Sequence, residues 1–263
     1  MLFRSLYTAR NYPKEYWNRA AFVTEPTGHL VATFILRQDG AGYRSKNSWN
    51  LFASNDEWTA PIMAEVGPDG NVWVIDWYNF IVQHNPTPAG FTTGKGNAYE
   101  SELRDKKHGR IYRLTYAPHE KALADAKKEL LLKPKDDDAD NNAAMMERPS
   151  DLRKAASEQL VAELGSTNRF WRQHAQRLIV ESNNFGSTQM LIEKINDQAI
   201  DEVGLNTELV HALWALHGRK VLDGQNGDAI KAVTNALRHP SASVRLNAIK
   251  VLPRDAKTTT SIL

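Results

Sequence analysis

Apolar residues in the first part of the chain occur in short runs separated by turn-forming residues, a pattern typical of β-strands joined by tight connections. Runs of this kind predict strands at residues 19–25, 30–37, 43–53, 61–66, 71–78 and 110–116. Strands of this kind leave open edges unless further strands pair with them. The pattern therefore predicts a larger all-β body.

The turn before the fifth predicted strand is the most specific short motif. Its sequence is Gly67-Pro68-Asp69-Gly70. Proline presets φ, aspartate caps its own backbone and glycine accepts a positive φ, so this motif predicts a tight turn. Residues 71–78, which follow it, are mostly β-branched and aromatic. The turn and this strand are predicted to form a hairpin.

After residue 116 the composition shifts to Lys, Glu, Ala and Leu. Residues 118–132 carry apolar side chains at helical spacing and predict a helix. The segment 134–149 is acidic at its start and poor in large apolar residues. It predicts a solvated linker.

From residue 150 onward the pattern is helical and repetitive. Ser150 is a candidate N-cap, and the segments 170–179, 209–216 and 243–252 align with one another. Within them Ala175, Ala212 and Ala248 are 37 and 36 residues apart. These spacings approach the HEAT-repeat period of about 40 residues, with a small residue where helices cross. The pattern predicts an α-solenoid of about three repeats.

Composition excludes several classes of protein. The chain has 263 residues and is 41% hydrophobic, which is enough to bury cores. Its 33 basic and 31 acidic residues nearly cancel, so charge gives no case for nucleic-acid binding. It contains no cysteine, which excludes disulfides and Cys-x-x-Cys-His haem attachment within these residues. Neither a signal-like leader nor an apolar run of roughly 18 residues occurs.

Three segments together resemble a known family. They are the GPDGNVWVIDWY stretch at residues 67–78, the loop at 82–86 and the strand at 109–113. They resemble the end of the β-propeller in extracytoplasmic "membrane-bound dehydrogenase-like" proteins of planctomycete and verrucomicrobial type. In that family the propeller is similar to sugar dehydrogenases that use pyrroloquinoline quinone. Helical repeats follow it, often with a c-type haem domain.

The resemblance implies a multidomain β and α chain in three parts. Residues 1–116 would form a partial β-propeller of the last one to two blades. Residues 117–149 would form a helix and an acidic linker, and residues 150–263 a HEAT-like α-solenoid. It also implies a fragment of a longer periplasmic or extracytoplasmic protein, in which pyrroloquinoline quinone, calcium and haem c would belong to the parent rather than to this chain.

Two functions are open at this point. One is part of a dehydrogenase that oxidises a sugar or carbohydrate and passes electrons to a haem domain elsewhere. The other is a non-catalytic scaffold that binds a glycan or a protein. The quinone enzymes surround their cofactor with basic side chains because it carries several carboxylates. Residues 55–61, at the corresponding place, are acidic and aromatic, which predicts that these blades do not bind the quinone.

Candidate catalytic residues lie around the long connection at residues 79–108, which is far longer than an ordinary loop. His84 is predicted to act as a base oriented by Asp76. The alternative is that the loop only covers the end of the sheet.

The aromatic side chains near this connection are predicted either to stack on a sugar or to pack between blades. Asp56, Glu57, Asp69 and Asp76 lack the spacing of a calcium loop, so no metal site is predicted. The predicted ligand-binding residues are Glu57, Trp58, Trp77, Tyr78, Arg104 and Asp105.

Overall fold

A computed structural model describes residues 4–39, 42–82, 89–90, 92–93, 99–132, 151–182, 186–223 and 226–255. These residues form nine β-strands and seven α-helices, so the prediction of a mixed β and α chain is confirmed. The chain divides into two compact units, Met1–Leu130 and Leu131–Leu263. None of the helices in the described ranges has the length and apolar character needed to cross a membrane.

The first unit begins with a four-stranded antiparallel sheet in which each strand pairs with the next in sequence. The β2 and β3 strands are apolar and partly β-branched, and β3 pairs with β4 over its full length and extends beyond β2. The strand bounds are β1 Arg4–Leu6, β2 Ala20–Glu25, β3 Leu30–Asp39 and β4 Gly42–Ala53. Sequence patterning predicted the last three but not the short β1.

A second, three-stranded antiparallel sheet has the order β5-β6-β9. The β6 strand alternates between buried and exposed residues, as expected for a strand with one face against a core. A small two-stranded ribbon, β7 with β8, lies within the long connection. The bounds are β5 Pro61–Val66, β6 Val72–Asp76, β7 Thr92–Thr93, β8 Tyr99–Glu100 and β9 Arg110–Leu114.

The turn between β5 and β6 has the geometry that its sequence predicts. The Gly70 amide donates to the Gly67 carbonyl at 3.0 Å, and Gly70 has a φ of +77°. A Cβ on Gly70 would lie 2.7 Å from Oδ1 of Asn11. Glycine is therefore required here for both backbone conformation and space.

The two larger sheets pack together because β5 contacts β1 and β2. Their shared core is rich in tyrosine, which needs partners for its hydroxyl groups when buried. The Tyr7 hydroxyl donates to the Gly70 carbonyl at 3.0 Å, and the Tyr12 hydroxyl donates to the Leu114 carbonyl at 2.6 Å. Burial raises the pKa of Tyr12 to about 12, so its hydroxyl stays protonated as a donor.

Helix α1 follows β9, and six further helices belong to the second unit. In that unit α2, α4 and α6 contact one another in turn, as do α3, α5 and α7. Contacts of α2 with α3, α4 with α5 and α6 with α7 join the two rows. The bounds are α1 Ala117–Leu132, α2 Ser157–Glu163, α3 Arg169–Glu181, α4 Ser187–Ile195, α5 Thr207–Gly218, α6 Gly227–Ala236 and α7 Ala242–Val251.

Equivalent positions in these helices make equivalent contacts. Ala175, Ala212 and Ala248 have no exposed surface and lie within α3, α5 and α7. Arg172 and Arg245 occupy matching positions, three residues before the first and third of these alanines. Each donates through Nη1 to a backbone carbonyl that precedes its own helix, at 2.6 and 2.7 Å.

Polar caps begin three of the helices. Asn168, Asn206 and Asn226 each accept a hydrogen bond through Oδ1 from a backbone amide in the first turn of α3, α5 and α6. Such caps satisfy amides that have no partner within the helix. The predicted N-cap Ser150 and the predicted linker at 134–149 lie outside the described residues.

Candidate functional site

A shallow cleft lies beside the three-stranded sheet, where the chain leaves β6 and where it enters β9. Its volume is about 370 Å³. Two aromatic rings, an arginine and a histidine–aspartate pair give it both apolar and polar surface. The lining residues are Trp58, Tyr78, Asp105, His108, Gly109 and Arg110.

Strand pairing creates the base of the cleft. The register between β6 and β9 places Asp76 directly opposite Arg110. The Arg110 Nε donates to Asp76 Oδ2 at 2.8 Å, and the Tyr112 hydroxyl contacts the same oxygen at 3.2 Å. The amides of Ala60 and Tyr78 donate to Oδ1 at 2.7 and 2.8 Å. Four hydrogen-bond partners thus surround a carboxylate whose side chain has no exposed surface.

Arg110 holds two acidic residues at once. Its Nη1 donates to Asp56 Oδ2 at 2.8 Å, and its Nη2 donates to Thr59 Oγ1 at 3.0 Å. Burial lowers the pKa of Arg110, but the hydrogen bonds to Asp56 and Asp76 outweigh it and raise that pKa above its usual value. The positive charge that lines the cleft is therefore compensated by two carboxylates.

Stacked aromatic side chains form the wall of the cleft. The Trp58 and Tyr78 rings lie 5.5 Å apart at 24° to each other. The Arg110 guanidinium lies 4.3 Å from the centre of the Tyr78 ring, within cation–π distance. Tyr78 has a φ of +55°, which is an uncommon conformation for a bulky residue. The hydrogen bond from its amide to Asp76 and its ring contacts with Trp58, His108 and Arg110 hold that backbone in place.

Asp105 and His108 form the polar side of the cleft. The His108 Nδ1 lies 2.6 Å from Asp105 Oδ2. The amides of Lys107 and His108 donate to Asp105 Oδ1 at 2.6 and 2.8 Å. The Lys107 amide, followed by the His108 side chain, lowers the pKa of Asp105 to about 2. Asn79 donates to the Asp105 carbonyl at 3.1 Å, which ties this turn to the end of β6.

The predicted catalytic pair is not assembled from described residues. His84 lies outside them. Asp76, its predicted partner, pairs with Arg110 and is buried beneath the cleft, so its carboxylate supports Tyr78 and Arg110. The histidine–aspartate pair that the structure shows is His108 with Asp105.

The predicted ligand-binding residues divide into two groups. Trp58, Tyr78 and Asp105 line the cleft. Trp77, Glu57 and Arg104 are not among its lining residues. Trp77 directly follows β6 and continues its alternation of buried and exposed residues. Its side chain therefore lies on the exposed face of the sheet, opposite the buried Asp76. Glu57 is exposed and Arg104 is half-buried.

Sequence reasoning missed His108 and Arg110 as site residues. Arg110 lies in the predicted strand at 110–116 and His108 precedes it by two residues, so residue types alone predict only the start of a strand there. Alternation along β9 would place Arg110 and Tyr112 on one face. Finding Asp76 opposite Arg110 needs the register between β6 and β9, and about thirty residues of intervening chain hide that register from local patterning.

Comparison with known proteins identifies a family match for the first unit. Residues 4–118 match a protein family described as a domain of unknown function, DUF7133. This range contains all nine strands and every residue that lines the cleft. No curated protein and no solved structure matches the chain. Within the described part of the chain, no group of three or more His, Cys, Asp or Glu residues could hold a metal ion.

Proposed function

We propose that the first unit is the end of a β-propeller and that its cleft binds a carbohydrate. The propeller proposal is supported by two antiparallel sheets, β1-β2-β3-β4 and β5-β6-β9, which pack together through β5. β-Propellers are built from small antiparallel sheets that pack against one another. The match over residues 4–118 is compatible with this proposal but says nothing about function.

The uncovered face of the three-stranded sheet also supports a propeller. It carries large apolar side chains that are 37–68% exposed, and such a patch is unusual on the surface of an isolated domain. A neighbouring blade would cover it. The exposed residues on this face are Met63, Trp73, Ile75, Trp77 and Ile111.

For the second unit we propose a HEAT-like α-solenoid. Two rows of helices, equivalent buried alanines and the matching Arg172 and Arg245 contacts support an array of repeats. Repeats of this kind bury a continuous core by stacking on their neighbours. By resemblance, the two units would belong to an extracytoplasmic, dehydrogenase-like parent protein.

One observation carries the carbohydrate proposal: the Trp58–Tyr78 stack lies next to an arginine whose charge is already compensated. Aromatic rings give apolar faces on which a sugar ring can pack, and the neighbouring polar groups can hydrogen-bond to hydroxyl groups. A strongly anionic ligand would meet Asp105 without an uncompensated arginine to oppose it. An uncharged, polyhydroxylated ligand fits this balance best.

The same balance argues against pyrroloquinoline quinone in this cleft. A tricarboxylate requires cationic groups that are free to form new pairs. Arg110 already uses Nε, Nη1 and Nη2 for Asp76, Asp56 and Thr59. The cleft does not fit the cofactor, and covalent haem would need cysteines that this chain lacks. Oxidation of a sugar by the parent protein would therefore use cofactors held elsewhere.

Calorimetric titration of the full chain with a panel of neutral and acidic oligosaccharides tests this function. A neutral oligosaccharide should bind, and Trp58→Ala should weaken its binding at least tenfold because the aromatic face on which the sugar ring packs is lost. Trp77→Ala is the matched control: it removes an equally large aromatic side chain close to the cleft but outside it. Equal losses in both variants would refute binding at this cleft.

The second candidate function is a role in dehydrogenase chemistry. The His108–Asp105 pair favours it, because a carboxylate-oriented imidazole can accept a proton. We expect no dye reduction when the purified chain is given pyrroloquinoline quinone, calcium and a panel of sugars. Cofactor-dependent turnover above the buffer rate would overturn the binding-only function.

A further inference from the structure

The geometry points to His108 Nε2 as the atom that accepts a hydrogen bond from a hydroxyl group of the bound ligand. This inference rests on the proposed function, because it assigns a contact within the same cleft. It concerns a residue that neither the family match nor sequence patterning singles out.

The orientation of the His108 imidazole determines which of its two nitrogens can accept a hydrogen bond. The His108 Nδ1 lies 2.6 Å from Asp105 Oδ2, so this nitrogen carries the ring proton and donates it to the carboxylate. The other ring nitrogen, Nε2, then has a free lone pair in the neutral imidazole. The His108 side chain remains 68% exposed, which leaves Nε2 accessible to a molecule in the cleft.

The Asp105 carboxylate that orients the His108 ring is itself held in a fixed position. Asp105 accepts two backbone hydrogen bonds in addition to the His108 contact, and its side chain is only 16% exposed. Its pKa of about 2 keeps it ionised at neutral pH. A fixed carboxylate fixes both the ring plane and the tautomer of the imidazole, as positioning carboxylates do at metal and catalytic sites.

The Tyr78 ring, next to His108, indicates where in the cleft a ligand would lie. The Tyr78 and His108 rings meet edge to face, with their centres 6.1 Å apart. A sugar ring packed on the aromatic wall formed by Trp58 and Tyr78 would therefore present its hydroxyl groups beside His108. The two charged side chains of the lining, besides His108, are already engaged: Arg110 donates to Asp56, Asp76 and Thr59, and Asp105 accepts from the 107–108 turn. Among the ring nitrogens of the lining, His108 Nε2 is the one that can accept a hydrogen bond from a hydroxyl group, because an indole N–H only donates.

Three substitutions test this contact against a merely structural role. His108→Ala removes Nε2 and should weaken the neutral oligosaccharide about tenfold, the value of one lost hydrogen bond in a partly buried site. His108→Gln keeps an acceptor oxygen near the former Nε2 position and should bind within about threefold of the wild type. Asp105→Asn should allow the other tautomer and weaken binding by a similar factor to His108→Ala.

Nitrogen-15 NMR of the His108 ring gives a readout that a structural role would not change. In the wild type the shifts should show Nδ1 protonated and Nε2 unprotonated, and the neutral oligosaccharide should shift Nε2 more than Nδ1. In Asp105→Asn the protonated nitrogen should change to Nε2.

The outcomes separate this inference from the proposed function. If the wild type binds no oligosaccharide, both are overturned. If it binds, Trp58→Ala abolishes binding and His108→Ala binds as tightly as the wild type, the carbohydrate cleft stands and the role of His108 is overturned. Loss in His108→Ala together with retention in His108→Gln supports the contact.

Discussion

Replacement of Arg110 with Met should destabilise the first unit because it leaves a buried carboxylate without its cation. Asp76 has no exposed side-chain surface, whereas Arg110 is 33% exposed. Breaking a buried ion pair by removing one partner costs about 3–5 kcal/mol in the free energy of unfolding. The exposure of Arg110 reduces that cost through solvent screening, so we expect about 2–4 kcal/mol.

Individual contacts give a similar magnitude. The charge-assisted hydrogen bond to Asp76 contributes about 1.5–3 kcal/mol. The pair with Asp56, which is 39% exposed, adds little because solvent screens it. Two amides and the Tyr112 hydroxyl remain near Asp76, and their hydrogen bonds limit the loss. The contribution of the Asp76 hydrogen bond overlaps the range of about 2–4 kcal/mol expected for the loss of the buried pair.

Urea denaturation of the full chain, followed by tryptophan fluorescence, measures this change, because most of the tryptophans precede residue 78. Arg113→Met is the matched control. It lies on the same strand, and its pair with Asp69 is 38% and 29% exposed, so its loss should cost less than about 1 kcal/mol. In the double variant Asp76→Asn/Arg110→Met the cost should be at least about 1 kcal/mol below the sum of the single costs. Equal costs for Arg110→Met and Arg113→Met would refute the reasoning.

Two further predictions concern the turn and the helical unit. Gly70→Ala should destabilise the first unit by about 2 kcal/mol, because it combines a positive φ with a Cβ position 2.7 Å from Asn11. Gly90→Ala, also at positive φ but with nothing within 4 Å, is the control, and an equal cost measured by urea denaturation would show that space is not limiting. Burial, followed by the nearby positive charges of two arginines, lowers the pKa of His211 from 6.5 to about 3. The folded state therefore favours neutral His211. The stability that this preference contributes is complete above pH 6.5 and is lost as the pH falls below that value. The loss reaches about 2 kcal/mol at pH 5. Thermal unfolding of His211→Gln, followed by circular dichroism at 222 nm, should lose this part of the pH dependence, whereas His217→Gln, at an exposed position on the same helix, should retain it. An unchanged slope in His211→Gln would contradict the assignment.

Local patterning predicted the secondary structure well because the signals were strong over short distances. Turn chemistry at residues 67–70 and β-branched residues in β6 determine that hairpin locally. The small residues of the helical repeats recur at a nearly constant spacing, so the centres of α3, α5 and α7 were also predictable. The short β1 strand, with three residues, carries too little periodicity to be found in this way.

Local patterning could not predict the site as fully because the site depends on register. Trp58, Tyr78 and Asp105 were found from their residue types near a long connection. Whether Asp76 faces a ligand or an arginine depends on which residue of β9 pairs with it, and a shift by one residue would turn Arg110 to the other face. Long-range pairing of this kind is not encoded in the spacing of nearby residues.

A crystal structure of the full chain soaked with the neutral oligosaccharide that binds most tightly tests the central claim most directly. The carbohydrate proposal predicts a sugar ring packed against Trp58 and Tyr78, with one hydroxyl group within hydrogen-bond distance of His108 Nε2. A sugar bound at another surface, with the cleft between Trp58 and His108 empty, would contradict it.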